Sequence, residues 1–69
     1  MAVQMDVFQK REPVYVDYPF EDVAFRWDSG KVYRKFYKGH EQQIRESNDL
    51  FRQAVLSGEQ ITKAEYDKR

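Results

Sequence analysis

The strongest constraint on the fold is a pair of alternating segments around one Ser-Gly dipeptide, in the stretch DVAFRWDSGKVYRKFYK (22–38). Apolar and polar side chains alternate on both sides of the dipeptide, which is typical of two half-buried strands. A two-residue loop at Ser29 and Gly30 predicts an antiparallel hairpin. The predicted cross-strand pairs are Asp28 with Lys31, Trp27 with Val32, Phe25 with Arg34, and Val23 with Phe36.

The hydrophobic pattern selects the register of this hairpin. A two-residue loop places five apolar side chains on one face: Val23, Phe25, Trp27, Val32 and Phe36. A three-residue loop would set Trp27 opposite Lys31 and split that set, because a slip of one residue exchanges the faces of a strand. Arg34 fits the chosen register poorly, and we expect it at the edge of the core or extended toward solvent.

Alternation also predicts strands before the hairpin. The predicted strands lie at about 2–8, 13–18, 22–28 and 31–38, and Pro19 suits the second position of a type I turn between two of them. Strands that follow one another with short turns form an antiparallel meander.

The C-terminal part of the chain predicts helices. An apolar stripe indicates a helix at about 47–57, with Ser47 as its N-cap and Gly58 after its end. A capping box that begins at Thr62 indicates a short helix at about 62–68, which Ile61 and Tyr66 would attach to the fold.

These elements predict the α+β class: a meander of three or four strands with one helix packed on one face of the sheet and a short helix at the C-terminus. The whole chain of 69 residues is expected to form a single small domain. The opposite sheet face is expected to remain exposed to water. Two points stay open, namely whether residues 40–46 are helix or strand and whether residues 1–10 are ordered.

Composition supports a folded core and excludes several kinds of site. Eleven aromatic residues and seven valines suit a sheet, and disordered chains are poor in both types. There is no cysteine and only one histidine, His40, so thiolate zinc sites and multi-histidine metal sites are excluded within one chain. No cofactor is expected, and a domain of this size is not expected to enclose a pocket of about 300 Å³ or more for a small-molecule substrate.

The sequence contains no segment that predicts membrane insertion or export. No apolar run approaches the ~18 residues of a membrane span, and the N-terminus has no basic start followed by an apolar block. We therefore expect a cytoplasmic protein that does not contact membranes.

Charge is balanced overall but distributed unevenly. Residues 1–22 carry −3, residues 23–38 carry +4 and residues 39–69 carry −1, by counts of Lys and Arg against Asp and Glu. The basic middle could attract an anionic partner, or the acidic flanks could fold back and pair with it. Pairing within the chain is the favoured interpretation, with Asp17, Glu21 and Asp22 as the nearest acids.

The exposed face of the hairpin is the candidate partner-binding surface. Its members are Arg26, Lys31, Tyr33, Lys35, Tyr37 and Lys38. Aromatic and arginine side chains are common anchors in protein interfaces. No nucleophile is paired with a base, so the sequence indicates a non-enzymatic protein-interaction or regulatory module that uses this face or an edge strand. Its partner would be another protein or a second copy. The alternative is a nucleic-acid-binding hairpin, in which rings stack on bases and cations contact phosphates.

Overall fold

The computed structural model describes residue 8 and residues 12–69, and it confirms the α+β class. The strands of this part of the chain are β1 (Val14–Tyr18), β2 (Val23–Asp28), β3 (Lys31–Phe36), β4 (Gln42–Ile44) and β5 (Glu59–Ile61). The helices are α1 (Asp49–Ser57) and α2 (Lys63–Lys68). All strand pairs are antiparallel, and the sheet order is β4-β3-β2-β1-β5.

The central hairpin has the predicted register. β2 and β3 pair Asp28 with Lys31 and, at the other end, Val23 with Phe36, and every predicted pair between them is present. Ser29 and Gly30 both have positive φ values, 51° and 82°. Two consecutive left-handed residues form the tight turn whose twist matches a two-residue hairpin.

Helices cover both faces of the sheet. On one face, which we call the α1 face, the core consists of Val14, Val16, Val23, Phe25, Val32, Phe51, Ala54 and Val55. On the opposite face, the α2 face, a smaller cluster contains Ala24, Ile61 and Tyr66, with Tyr15 packed against it. The expectation that this second face is open to water was therefore wrong over β1 and β2. Tyr66 and Ile61 do attach α2 to the sheet, as predicted.

The N-cap of α1 is Asn48, one residue after the predicted Ser47. Its side chain accepts a hydrogen bond from the backbone N–H of Phe51 at 3.1 Å. Either residue type suits the position, so composition could not decide between them. The capping box at Thr62 is confirmed: the Thr62 hydroxyl accepts from the Glu65 N–H at 3.2 Å, and the Glu65 carboxylate accepts from the Thr62 N–H at 3.0 Å.

Gly58 follows α1 as predicted, but not because it adopts a left-handed conformation. Its φ is −86°, which any residue can adopt. A Cβ at this position would lie 2.5 Å from the carbonyl oxygens of Ala54 and Asp17. The glycine is required because the chain passes between the end of the helix and β1, so the turn into β5 depends on this close approach.

Several predicted boundaries differ from the structure. Residues 2–7 of the first predicted strand lie outside the described residues. β3 ends at Phe36 rather than at 38, because Lys38 turns with a φ of 62° and the Gly39 N–H donates to the Phe36 carbonyl at 2.8 Å. The open segment 40–46 contains the short strand β4. Pro19 begins a 3-10 turn, Pro19–Glu21, that joins β1 to β2.

Candidate partner-binding surfaces

The six residues predicted to bind a partner lie together on and beside the α2 face. Register places Arg26 opposite Tyr33, and Lys35 opposite Ala24, on this face. Lys31 begins β3, whereas Tyr37 and Lys38 follow its end. The hairpin geometry therefore brings the predicted set to one side of the sheet, and the neighbours of each residue determine how available it is.

Arg26 is neutralised within the chain. Its Nε donates to Glu41 Oε2 at 2.7 Å and its Nη1 to Asp28 Oδ2 at 3.2 Å, and its guanidinium lies 4.1 Å from the centre of the Tyr33 ring. The Tyr66 hydroxyl also donates to Glu41, at 2.9 Å. The hydrogen bond to Glu41 raises the pKa of Arg26, and the same bond lowers the pKa of Glu41. Both charges are held in place across the sheet.

Tyr37 takes part in a second cluster. Its hydroxyl donates to Asp17 Oδ1 at 2.5 Å, and Arg69 Nε donates to Asp17 Oδ2 at 3.2 Å. Asp17 is nearly inaccessible, with 7% of its side chain exposed. Burial and the bond to the carboxylate raise the pKa of Tyr37 to about 12. The cluster joins β1, the end of β3 and the C-terminal residue.

Lys35 contacts the end of α2. Its Nζ donates to the carbonyl of Tyr66 at 3.1 Å and to that of Asp67 at 3.4 Å. A cation at the C-terminal end of a helix satisfies carbonyl groups that have no partner within the helix. The short helix α2 is thus fixed to the predicted surface by a basic side chain of that surface.

These contacts divide the predicted set. Arg26, Tyr33, Lys35 and Tyr37 are half-buried and engaged within the chain, whereas Lys31 and Lys38 are exposed. Pairing of the basic middle with its acidic flanks was the favoured interpretation, and it is observed at Arg26, which pairs with Glu41 of the C-terminal flank and also with Asp28 inside the middle. Asp17, one of the predicted acids, pairs instead with Arg69. Neither Glu21 nor Asp22 makes an ion pair among the described residues. Binding of the set to a partner stays a prediction.

The α1 face carries a second candidate surface that sequence reasoning missed. Phe20 is 78% exposed and Phe36 is 47% exposed. The Phe20 ring packs at a tilt against Tyr18, with ring centres 5.5 Å apart, and Arg34 lies over the Phe36 ring at 5.1 Å. We call these four residues the aromatic edge patch. The signal was present in the sequence, because the register had already placed Arg34 and Phe36 on the apolar face.

A cleft of about 410 Å³ opens between α1 and β2. Its lining consists of Phe8, Trp27, Glu46, Phe51, Arg52, Val55 and Leu56. The Trp27 indole N–H donates to Glu46 at 3.1 Å, and Phe8 packs edge-on against Trp27 at 5.2 Å. The cleft is open to solvent, so the expectation that a domain of this size encloses no pocket of about 300 Å³ or more for a substrate stays a prediction. The lining is largely apolar, and Glu46, its one carboxylate, accepts the hydrogen bond from Trp27.

The described residues also bear on metal binding, membrane insertion and the addition of a partner strand. Within residue 8 and residues 12–69, the acidic and histidine side chains form no group of three that could hold a metal ion. No helix among these residues is long and apolar enough to cross a membrane. The sheet edges are short, since β4 and β5 have three residues each, so they offer few backbone groups for the addition of a partner strand.

Comparison with known proteins gives the chain its family. The Tis1 immunity protein family model matches residues 1–69. The immune protein Tis1 of Pseudomonas aeruginosa (strain UCBPP-PA14) is 37% identical over 71 residues, which cover 97% of this chain and 92% of the relative. A chain in the crystal structure of the complex between the type VI effector Tas1 and its immunity protein is similar with a TM-score of 0.83 and 36% identity, over 96% of this chain and 92% of that one. This chain therefore belongs to the Tis1 immunity protein family.

Proposed function

We propose that this protein is an immunity protein that binds a type VI effector and blocks its toxicity. The observation that carries the proposal is its likeness, over nearly the whole chain, to the immunity protein of the Tas1 complex. The fold suits a binding role, because aromatic and arginine side chains are presented on a rigid sheet. Activity would come from covering a surface of the effector, with no chemical step and no cofactor.

The site supports protein binding better than nucleic-acid binding. Phosphate recognition needs cations that are free to contact a backbone. Arg26 and Lys35 are already held by a carboxylate and by helix carbonyls. Lys31 and Lys38 remain exposed on the hairpin, and two lysines make a small electrostatic footprint for a chain of zero net charge.

The test is direct binding and protection. The recombinant chain is titrated with the Tas1-like type VI effector of its source organism and with Tas1 itself, by calorimetry. Cells that produce either effector are then scored for growth with and without the chain. We expect a Kd of about 1 μM or tighter for at least one effector and restored growth with it. Absence of binding to both effectors, with no protection, would refute the proposal.

Two accompanying predictions can be measured on the same samples. Light scattering of the free chain separates a monomer from the homodimer that the sequence allowed. Fractionation of source cells tests the predicted cytoplasmic location. An immunity protein that acts by binding must be found where its effector acts.

A further inference from the structure

The aromatic edge patch contains an arginine, Arg34, that has no carboxylate partner in the described part of the chain. Arg34 Nη2 donates to Gln42 at 2.7 Å, and its guanidinium lies over Phe36. Its Nε is buried and has no acceptor within residue 8 and residues 12–69. No carboxylate pairs with Arg34 among the residues that the structure describes. A half-buried cation without a counter-ion is unfavourable, and an arriving carboxylate would relieve that cost.

Arg26 provides an internal comparison. The two arginines lie on neighbouring strands of one hairpin, on opposite faces of the sheet. Arg26 has two carboxylate partners, from Asp28 and Glu41. Arg34 has one neutral amide partner, from Gln42. Within the described residues, the arginine on the α2 face is paired with carboxylates and the arginine on the α1 face is not.

One ring of the patch, Phe36, lies beside this charge, and the others lie across the sheet from Phe36. Tyr18 and Phe36 both pair with Val23, from opposite sides, so they stand in one row across the sheet. Adjacent strands are about 4.8 Å apart, which puts the two rings roughly 10 Å apart at their backbones. The Phe20 ring packs against Tyr18, the ring at one end of this row. Large exposed apolar side chains next to an arginine are the composition of an interface core rather than of an ordinary surface.

We propose that the aromatic edge patch is the effector-docking surface, and that the effector presents to it an acidic side chain bordered by apolar residues. The carboxylate would accept from Arg34, and the apolar border would cover Phe20 and Phe36. This inference rests on the proposed function, and it names the surface through which that function acts. It assigns docking to the face opposite the six-residue set predicted from the sequence.

Matched charge reversals on one strand test the assignment. Arg34→Glu and Lys31→Glu make the same charge change in β3, on opposite faces of the sheet. We expect Arg34→Glu to raise the Kd for the effector at least about tenfold, and Lys31→Glu to change it less than about twofold. A large effect of Lys31→Glu without an effect of Arg34→Glu would overturn the proposal and favour the α2 face.

A second pair of variants guards against misfolding and tests the chemistry of the partner. Phe20→Ser replaces a side chain that is 78% exposed, so it leaves the core intact, and we expect it to raise the Kd at least about tenfold. Arg34→Leu should weaken binding less than Arg34→Glu, because it removes attraction without adding repulsion. If Arg34→Leu binds as well as the wild type or better, the acidic partner is refuted.

The controls distinguish a failure of the proposed immunity function from a failure of the proposed docking surface. Each variant is checked by circular dichroism and thermal unfolding, and only variants with the wild-type spectrum are interpreted. If the wild type does not bind any effector, the proposed function fails. If the wild type binds and all variants of the patch bind equally well, the docking surface is wrong while the immunity function stands.

Discussion

Removal of one hydroxyl group, by Tyr37→Phe, tests the buried cluster on the α2 face. The Tyr37 hydroxyl is one of two groups that satisfy the Asp17 carboxylate, and the other is Arg69. The substitution keeps the ring and deletes the donor. Because Asp17 is almost inaccessible, water cannot easily replace the lost hydrogen bond.

The expected loss can be estimated in two ways. A hydrogen bond to a buried charged group contributes about 1.5–3 kcal/mol, and retention of Arg69 favours the lower part of that range. Alternatively, the pKa of Tyr37 is about 12 in the folded chain and about 10 in an unfolded one. Two units correspond to at most about 3 kcal/mol, and solvent screening of this half-buried group reduces that figure. The hydrogen bond sets the expected loss at about 2 kcal/mol at pH 7. The pKa shift gives only an upper bound, because burial is its largest cause and the hydrogen bond its second.

The contribution of the Tyr37 hydroxyl to the free energy of unfolding should also depend on pH. A raised pKa means that the folded state holds the phenol proton more tightly than the unfolded state. The stabilisation is therefore fully present below pH 10 and is lost as the pH rises from about 10 toward 12. In Tyr37→Phe this contribution is absent at every pH. The difference in unfolding free energy between wild type and variant should shrink over that interval.

Urea unfolding followed by tryptophan fluorescence, from pH 7 to pH 11, measures both effects. Tyr33→Phe is the matched control, since it also deletes a phenol on the α2 face and keeps the ring beneath Arg26. We expect the control to change the free energy by less than about 0.5 kcal/mol. A loss below about 0.5 kcal/mol for Tyr37→Phe at pH 7, or a loss that is constant up to pH 11, would refute the account of this cluster.

Three further perturbations have defined outcomes. Asn48→Ala should lower the free energy of unfolding by about 1 kcal/mol, while Ser47→Ala should leave it nearly unchanged in the same urea titration. Gly58→Ala should cost about 1–3 kcal/mol, because its Cβ meets two backbone oxygens at 2.5 Å; an unchanged melting temperature would contradict that contact. Glu41→Gln should destabilise the protein at neutral pH, and its deficit should disappear as the pH falls through the lowered pKa of Glu41; a deficit that persists once this carboxylate is protonated would rule out the charge pairing with Arg26 as its source.

The central hairpin could be predicted from the sequence because its determinants are local. The side-chain pattern repeats every two residues, and the Ser29-Gly30 turn sets the register within a few residues of each pair. The α2 helix was predictable for the same reason, since its capping box lies within four residues. Local chemistry could not choose between Ser47 and Asn48, because both are good N-caps and the choice depends on where the chain leaves β4.

The remaining features depend on contacts between distant parts of the chain. β5 has three residues and no alternation of its own, and it forms because Gly58 lets the chain approach β1 closely. Arg69 lies 52 residues from Asp17, so no local pattern connects them. The same holds for Arg26 and Glu41, at 15 residues. Which cations are neutralised is therefore a property of the folded chain, and the six-residue surface was defined without it.

The lack of a carboxylate beside Arg34 among the described residues is not due to a shortage of acidic residues. The chain has twelve basic and twelve acidic side chains, so it holds enough acids to pair every cation. It places carboxylates beside Arg26 and Arg69, yet beside Arg34 it places an amide and a phenyl ring. Hydrophobic residues of similar size at this position would avoid the desolvation of a charge. Arg34 forms no ion pair within the described part of the chain, which is the arrangement we expect if its carboxylate partner belongs to the effector.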